Sequence, residues 1–184
     1  MLFMTSPDLD KLKYPIGKFV KPTSISETQI LEWIETIEGL PEILNDLTKD
    51  LTVEQLNWRY RPEGWAIKQV VHHLADSHMN SMIRFKWTLT EDTPTIKAYH
   101  EDRWAKLKDD NDDDLSHTLS LLKGLHAKLG ILLRSLTKDE LKREFIHPEY
   151  GRHISLEETI GIYAWHSKHH VAHIEQALKY KDKF

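Results

Sequence analysis

Residues 155–180 read SLEETIGIYAWHSKHHVAHIEQALKY. Ser155 and Glu158 stand at the Ser-x-x-Glu spacing of a capping box, in which a hydroxyl and a carboxylate each satisfy an unpaired backbone N–H. The spacing predicts a helix over about 156–180. Leu156, Ile160, Tyr163, Ile174, Ala177 and Leu178 recur along it at helical intervals and form one apolar stripe. Four histidines, His166, His169, His170 and His173, fall within eight residues of that helix. At about 100° per residue, His170 lies roughly 50° from the centre of the stripe and His166 roughly 90°. His173 and His169 are expected further towards solvent. His166 and His170 are an i, i+4 pair, so their imidazoles stack on one face, close enough to share an ion.

Three more amphipathic segments surround this one. Ser24-Ile-Ser-Glu27 reads as a capping box opening a helix over about 25–48, with Ile30, Leu31, Ile34, Ile37 and Leu44 at helical spacing. Gly39 and Pro41 are expected to kink or interrupt it. A second helix is expected over about 65–90, carrying Ile67, Val70, Val71, Leu74, Met82, Phe85 and Leu89, and ending near EDTP at 91–94. A third runs over about 113–136, with leucines at 115, 119, 122, 125, 129, 132 and 133. Thr52-x-x-Gln55 and Thr137-x-x-Glu140 each cap a short helical turn. RPEG at 61–64 is turn chemistry. Residues 93–111 read as the longest loop, DNDDD at 110–114 as a solvated acidic helix start, and FIHPEYGRHIS at 145–155 as extended or turn. Four long helices without convincing strand pairs make an all-α four-helix bundle, a single domain over 1–184. Residues 1–22 are expected as coil packed on the bundle. The long connection between the second and third long helices leaves room for a crossover.

The composition narrows the partners. Apolar residues are 40 %, charged residues 29 % and the net charge is −4, a profile without a basic nucleic-acid footprint. No run is long and apolar enough for a membrane span, and the first residues, MLFMTSPDLDKL, do not read as a signal peptide. Cysteine is absent, which removes disulfides, thiolate ligands and a cysteine nucleophile, and fits a cytoplasmic location. A metal must therefore be held by His, Asp or Glu.

A bundle-core site needs a third ligand from a neighbouring helix. On the second long helix His73 sits at the border of the apolar stripe, His78 lies on the stripe and His72 points well away; His73 is preferred, with His78 second. Asp76, Ser77, Asn80 and Arg84 share the face of His73 within roughly 60°. Asp76 and Arg84 are the candidates there for orienting a ligand, acting as base or binding an anionic substrate. The plain alternative is a solvated helix flank.

YRPEGWAIKQVVHHLADSHMNSMIRFK at 60–86, LTEDTPTIK at 89–97 and WHSKHHVAHI at 165–174 resemble the DinB superfamily, and within it the YfiT-like branch of metal-dependent hydrolases related to bacillithiol transferases. The likeness runs from YPIGKFVKP at 14–22 to about Ile174. It implies a four-helix bundle and one divalent metal per chain, zinc or nickel, on three histidines: His73, His166 and His170. His72, His78, His169 and His173 are not carried over. It also implies a homodimer. Three neutral imidazoles leave an open metal position, the pattern of a catalytic site. Activated water there would make a hydrolase with a small-molecule substrate. A small-molecule thiol there, such as bacillithiol, would make a thiol S-transferase, with Arg84 pairing its carboxylates. A bundle that holds metal without turnover is the third reading. A zinc peptidase of the His-Glu-x-x-His type is disfavoured, because Ser167 follows His166.

Overall fold

The computed structural model describes residues 6–149 and 151–184. In chain order it holds α1 (Ser6–Lys13), α2 (Glu27–Thr48), α3 (Val53–Leu56), α4 (Ile67–Thr90), α5 (Glu101–Trp104), a 3-10 turn (Asp109–Asn111), α6 (Ser116–Arg134), α7 (Lys138–Leu141), β1 (Glu144–His147), β2 (Arg152–Ser155) and α8 (Leu156–Tyr180). The four long helices pack in a ring α2–α6–α4–α8. Consecutive α2 and α4 therefore lie on opposite corners, as do α6 and α8. The long 91–115 connection joins neighbours, so the diagonal passages fall before α4 and after α6 instead. Among the described residues no helix is long and apolar enough to cross a membrane.

The apolar core is divided. At one end Leu40, Leu44, Val70, Val71, Leu74, Leu122, Ile174 and Ala177 pack together. At the other, Ile30, Ile34, Ile37, Phe85, Leu129, Leu156 and Ile160 do so. Between them α4 and α8 present buried polar side chains: His73, Ser77, His78 and Ser81 from one, Ser167 and His170 from the other. The interruption of both stripes at the same level places this polar layer in mid-bundle.

Local expectations and structure part at several points. Thr52 and Thr137 cap their turns with both halves of the box formed. The α2 cap is Ser26 rather than Ser24, its hydroxyl accepting from the Gln29 N–H at 3.1 Å. Ser155 accepts from the Glu158 N–H, but the Glu158 carboxylate, almost fully buried, turns to Arg152 (2.7 Å) and Lys21 (2.8 Å). α2 continues through Pro41. Proline lacks the N–H that would bond the Ile37 carbonyl, and His126 Nδ1 from α6 meets that carbonyl at 2.6 Å. Residues 1–22 are not all coil, since α1 occupies Ser6–Lys13. β1 and β2 pair antiparallel, Glu144 with Ser155 and His147 with Arg152. A bridge from Thr95 to Ile146 and a small cluster of Ile96, Phe145 and Ile154 bind the hairpin to the 91–111 segment. The DNDDD stretch is not wholly solvated: Asp110 is buried.

Candidate metal centre

His73 is carried on the same turns of α4 as Val70, Val71 and Leu74, whose burial holds the helix against its neighbours. His166 and His170 stand one turn apart on α8. The two helices are ring neighbours, and the three imidazoles converge so that one nitrogen of each lies within 4.8 Å of the others. His73 Nε2 and His166 Nε2 are 3.3 Å apart. Two ligands of a tetrahedral zinc, each bonded at 2.0–2.1 Å, would sit about 3.3 Å apart. The donor set therefore fits a borderline divalent cation. His73 and His170 are buried, and His166 is half-buried. The Trp65 ring packs against His73 at 4.6 Å and His170 at 6.3 Å between centroids.

Burial is the main cause of the electrostatics here. It pushes the His73 imidazole down to about 4, with the neighbouring His169 adding to the effect. His166 and His170 are held well below the ordinary histidine range, first by burial and then by the imidazoles around them. All three are neutral at pH 7, the state in which an imidazole offers a lone pair to a metal.

His169 and His173 are not directed to solvent as the helical arithmetic expected. Both are buried, because the N-terminal segment and the 58–65 turn cover that flank of α8. Trp165 stacks on His169 at 4.5 Å and Tyr60 on His173 at 3.8 Å. His72 points away from the centre, as expected, but is buried against α6, bonding Thr118 Oγ1 at 2.8 Å and the Asp112 carbonyl at 3.1 Å. His78 is fully buried and stacks on His126 at 4.8 Å; it does not join the ligand cluster.

The three histidines open onto a cleft of about 730 Å³. Ser77, Arg84, Tyr99 and His147 line it, together with Tyr60, Arg61, Trp65 and Trp165. These aromatic and hairpin residues were invisible as a site in the sequence, since they come from four separate segments. Arg84 donates to Tyr163 Oη at 3.3 Å and forms no ion pair with a carboxylate among the described residues. It is positioned to meet an anionic oxygen. Asp76 is not part of the cleft lining. Its carboxyl is pushed up to about 7, mainly by burial and then by Asp110, which burial likewise pushes up to about 6. Asn80 bonds the Asp76 carbonyl on its own helix. Ser167 bonds the Tyr163 carbonyl at 2.8 Å, so the position that is Glu in zinc peptidases is turned into the helix. A larger groove, about 1110 Å³, lies between α2 and α6 and holds none of the three histidines.

The chain is similar to known proteins over most of its length. The family model of the DinB superfamily matches residues 36–174. YfiT of Bacillus subtilis (strain 168) is 48 % identical over 165 residues, covering 90 % of this chain and 93 % of that protein. OB0782 of Oceanobacillus iheyensis is 49 % identical over 170 residues, covering 92 % and 98 %. Both carry the name of a metal-dependent hydrolase not yet confirmed as one. The solved structure of the B. subtilis protein superposes with a TM-score of 0.89 at 47 % identity, over 92 % of this chain and 97 % of that one. It is described as a probable metal-dependent hydrolase with an unusual four-helix bundle topology.

Proposed function

Because the chain belongs to the DinB superfamily, we propose that it is a metal-dependent hydrolase of small molecules, with one zinc or nickel ion per chain on His73, His166 and His170. The observation that carries this is the convergence of three neutral imidazoles from two helices at a cleft large enough for a small molecule. A structural zinc site closes its fourth position with protein; three histidines facing a cleft leave it for solvent or substrate.

A divalent cation held there supplies Lewis acidity that polarises a carbonyl or phosphoryl oxygen and makes water acidic near neutral pH. The chain's own residues do the rest. Arg84 binds an anionic oxygen of the substrate and orients the scissile group towards the histidines. Trp65 and Trp165 give the cleft apolar walls that hold the ligand and keep His73 and His169 in place. With Ser167 turned inward and Asp76 set against Asp110, a general base on the cleft is sought among its other titratable side chains.

A second reading keeps the same site for a thiol S-transferase using bacillithiol or a similar small thiol. Arg84, lying in the cleft with no carboxylate partner among the described residues, supports it, since such a thiol carries carboxylates. The proposal extends to a homodimer, on the strength of the family resemblance, and to the cytoplasm, where a chain without cysteine is at home. The test is turnover of a panel of esters, amides and phosphoesters by zinc- or nickel-loaded protein, with and without small thiols. Thiol-independent turnover that disappears in His166→Ala supports the hydrolase. Turnover only with a thiol supports the transferase, and turnover that survives in His166→Ala contradicts both.

A further inference from the structure

α1 ends at Lys13, and the last carbonyls of a helix have no intrahelical N–H to accept. Two side chains of α8 meet them. Gln176 donates to the Leu12 carbonyl at 3.0 Å. His173 Nε2 lies 3.1 Å from the Lys13 carbonyl. A carbonyl only accepts, so the His173 proton is on Nε2. The other nitrogen of that ring, Nδ1, lies 3.4 Å from His170 Nδ1. A contact between two ring nitrogens holds one proton, and with His173 already donating through Nε2 its Nδ1 is the accepting side of that contact. His170 must then hold its own proton on Nδ1, facing that nitrogen. This leaves His170 Nε2 unprotonated.

We propose that His173 is a positioning residue that relays the polarity of the Lys13 carbonyl to His170, so that docking of α1 selects the tautomer in which His170 offers Nε2 to the metal. The inference rests on the three-histidine centre proposed above. It matters because a neutral imidazole in water favours the other tautomer, with the proton on Nε2, where it would block ligation. A hydrogen bond from the non-ligating nitrogen also raises ligand basicity and fixes the ring, and losing such a partner typically costs about 10–100-fold in metal affinity. The relay links residues 160 apart in sequence, Lys13 at the end of α1 and His173 on α8.

Two measurements test it. Nitrogen-15 NMR of the metal-free wild type reads the ring tautomers directly: His173 should be protonated on Nε2 and His170 on Nδ1. Zinc affinity, by competition with a chromophoric chelator, then compares His173→Phe with His173→Asn. Phenylalanine keeps the stack on Tyr60 but removes both nitrogens, and affinity should fall about 10–100-fold. Asparagine returns an oxygen near the Nδ1 position that accepts from His170, and should recover most of that loss. A purely structural role for His173 would not restore affinity in this way. His170 protonated on Nε2 in the wild type, or equal zinc loss in the two variants, overturns the relay. A wild type that binds neither zinc nor nickel sinks the metal centre itself, while the tautomers, read without metal, still decide the relay.

Discussion

The passage of α2 through Pro41 depends on a side chain from another helix. Pro41 deprives the buried Ile37 carbonyl of its usual i+4 donor, and His126 Nδ1 replaces it at 2.6 Å. His126 is 1 % exposed, so water cannot take over. Replacing it with leucine keeps the volume nearly constant and leaves a buried carbonyl unsatisfied, at a cost of about 1–3 kcal/mol. For a chain of this length, 2 kcal/mol corresponds to roughly 4–8 °C in Tm. The decisive comparison is a double-mutant cycle with Pro41→Ala. Alanine restores an N–H at position 41 that reaches the Ile37 carbonyl, so His126→Leu should cost much less in that background. A coupling of about 1–2 kcal/mol is expected, read from urea unfolding of the four proteins with unchanged m. An equal cost in both backgrounds, within about 0.5 kcal/mol, would refute the reasoning.

Three further outcomes follow from the packing and the charges. Gly161 lets α8 approach α2, and a Cβ there would fall 2.8 Å from a Trp33 ring carbon. Gly161→Ala should destabilise by about 1–3 kcal/mol, and Trp33→Leu in the same chain should recover most of it; an unchanged Tm in the single variant would contradict this. Asp76, with its folded pKa raised to about 7 by burial and Asp110, favours the fold only when protonated. The stability it contributes is present below about 4 and lost as pH rises through about 7. Asp76→Asn should therefore raise Tm above that of the wild type at pH 8, with the gap closing in acid, and parallel Tm–pH curves would count against it. His72→Ala should lower Tm, since it unties α4 from Thr118 and Asp112, yet leave metal stoichiometry intact, as should His169→Ala. Metal loss from either would mean a different ligand set.

How far the molecule could be read in advance depended on whether the cause was local. The long helices and the Thr52 and Thr137 boxes follow from periodicity and capping, which act within a few residues; periodicity favours His73, His166 and His170, and the family resemblance selects His73 over His78. The Ser24 box gave way to Ser26 because two serines compete at that entry and only the packed register decides between them. The pairing of β1 with β2 is not legible locally, because each strand is four residues long and is stabilised by Thr95, some fifty residues earlier. Helical periodicity alone points His173 towards solvent, because the residues that bury it, Lys13 and Tyr60, lie far away in sequence. The acidic run hides the burial of Asp110, because the helix beside it, carrying Asp76, is also remote in sequence. At the hairpin, at His173 and at Asp110, a contact between distant segments overrides a sound local inference.

The central claim is that His73, His166 and His170 hold one divalent metal. The most direct test is elemental mass spectrometry of untagged protein, wild type beside His170→Ala. The account predicts close to one zinc or nickel per chain in the wild type and a sharp loss in the variant. No stoichiometric metal in the wild type after incubation with either ion, or equal metal in both proteins, would contradict it.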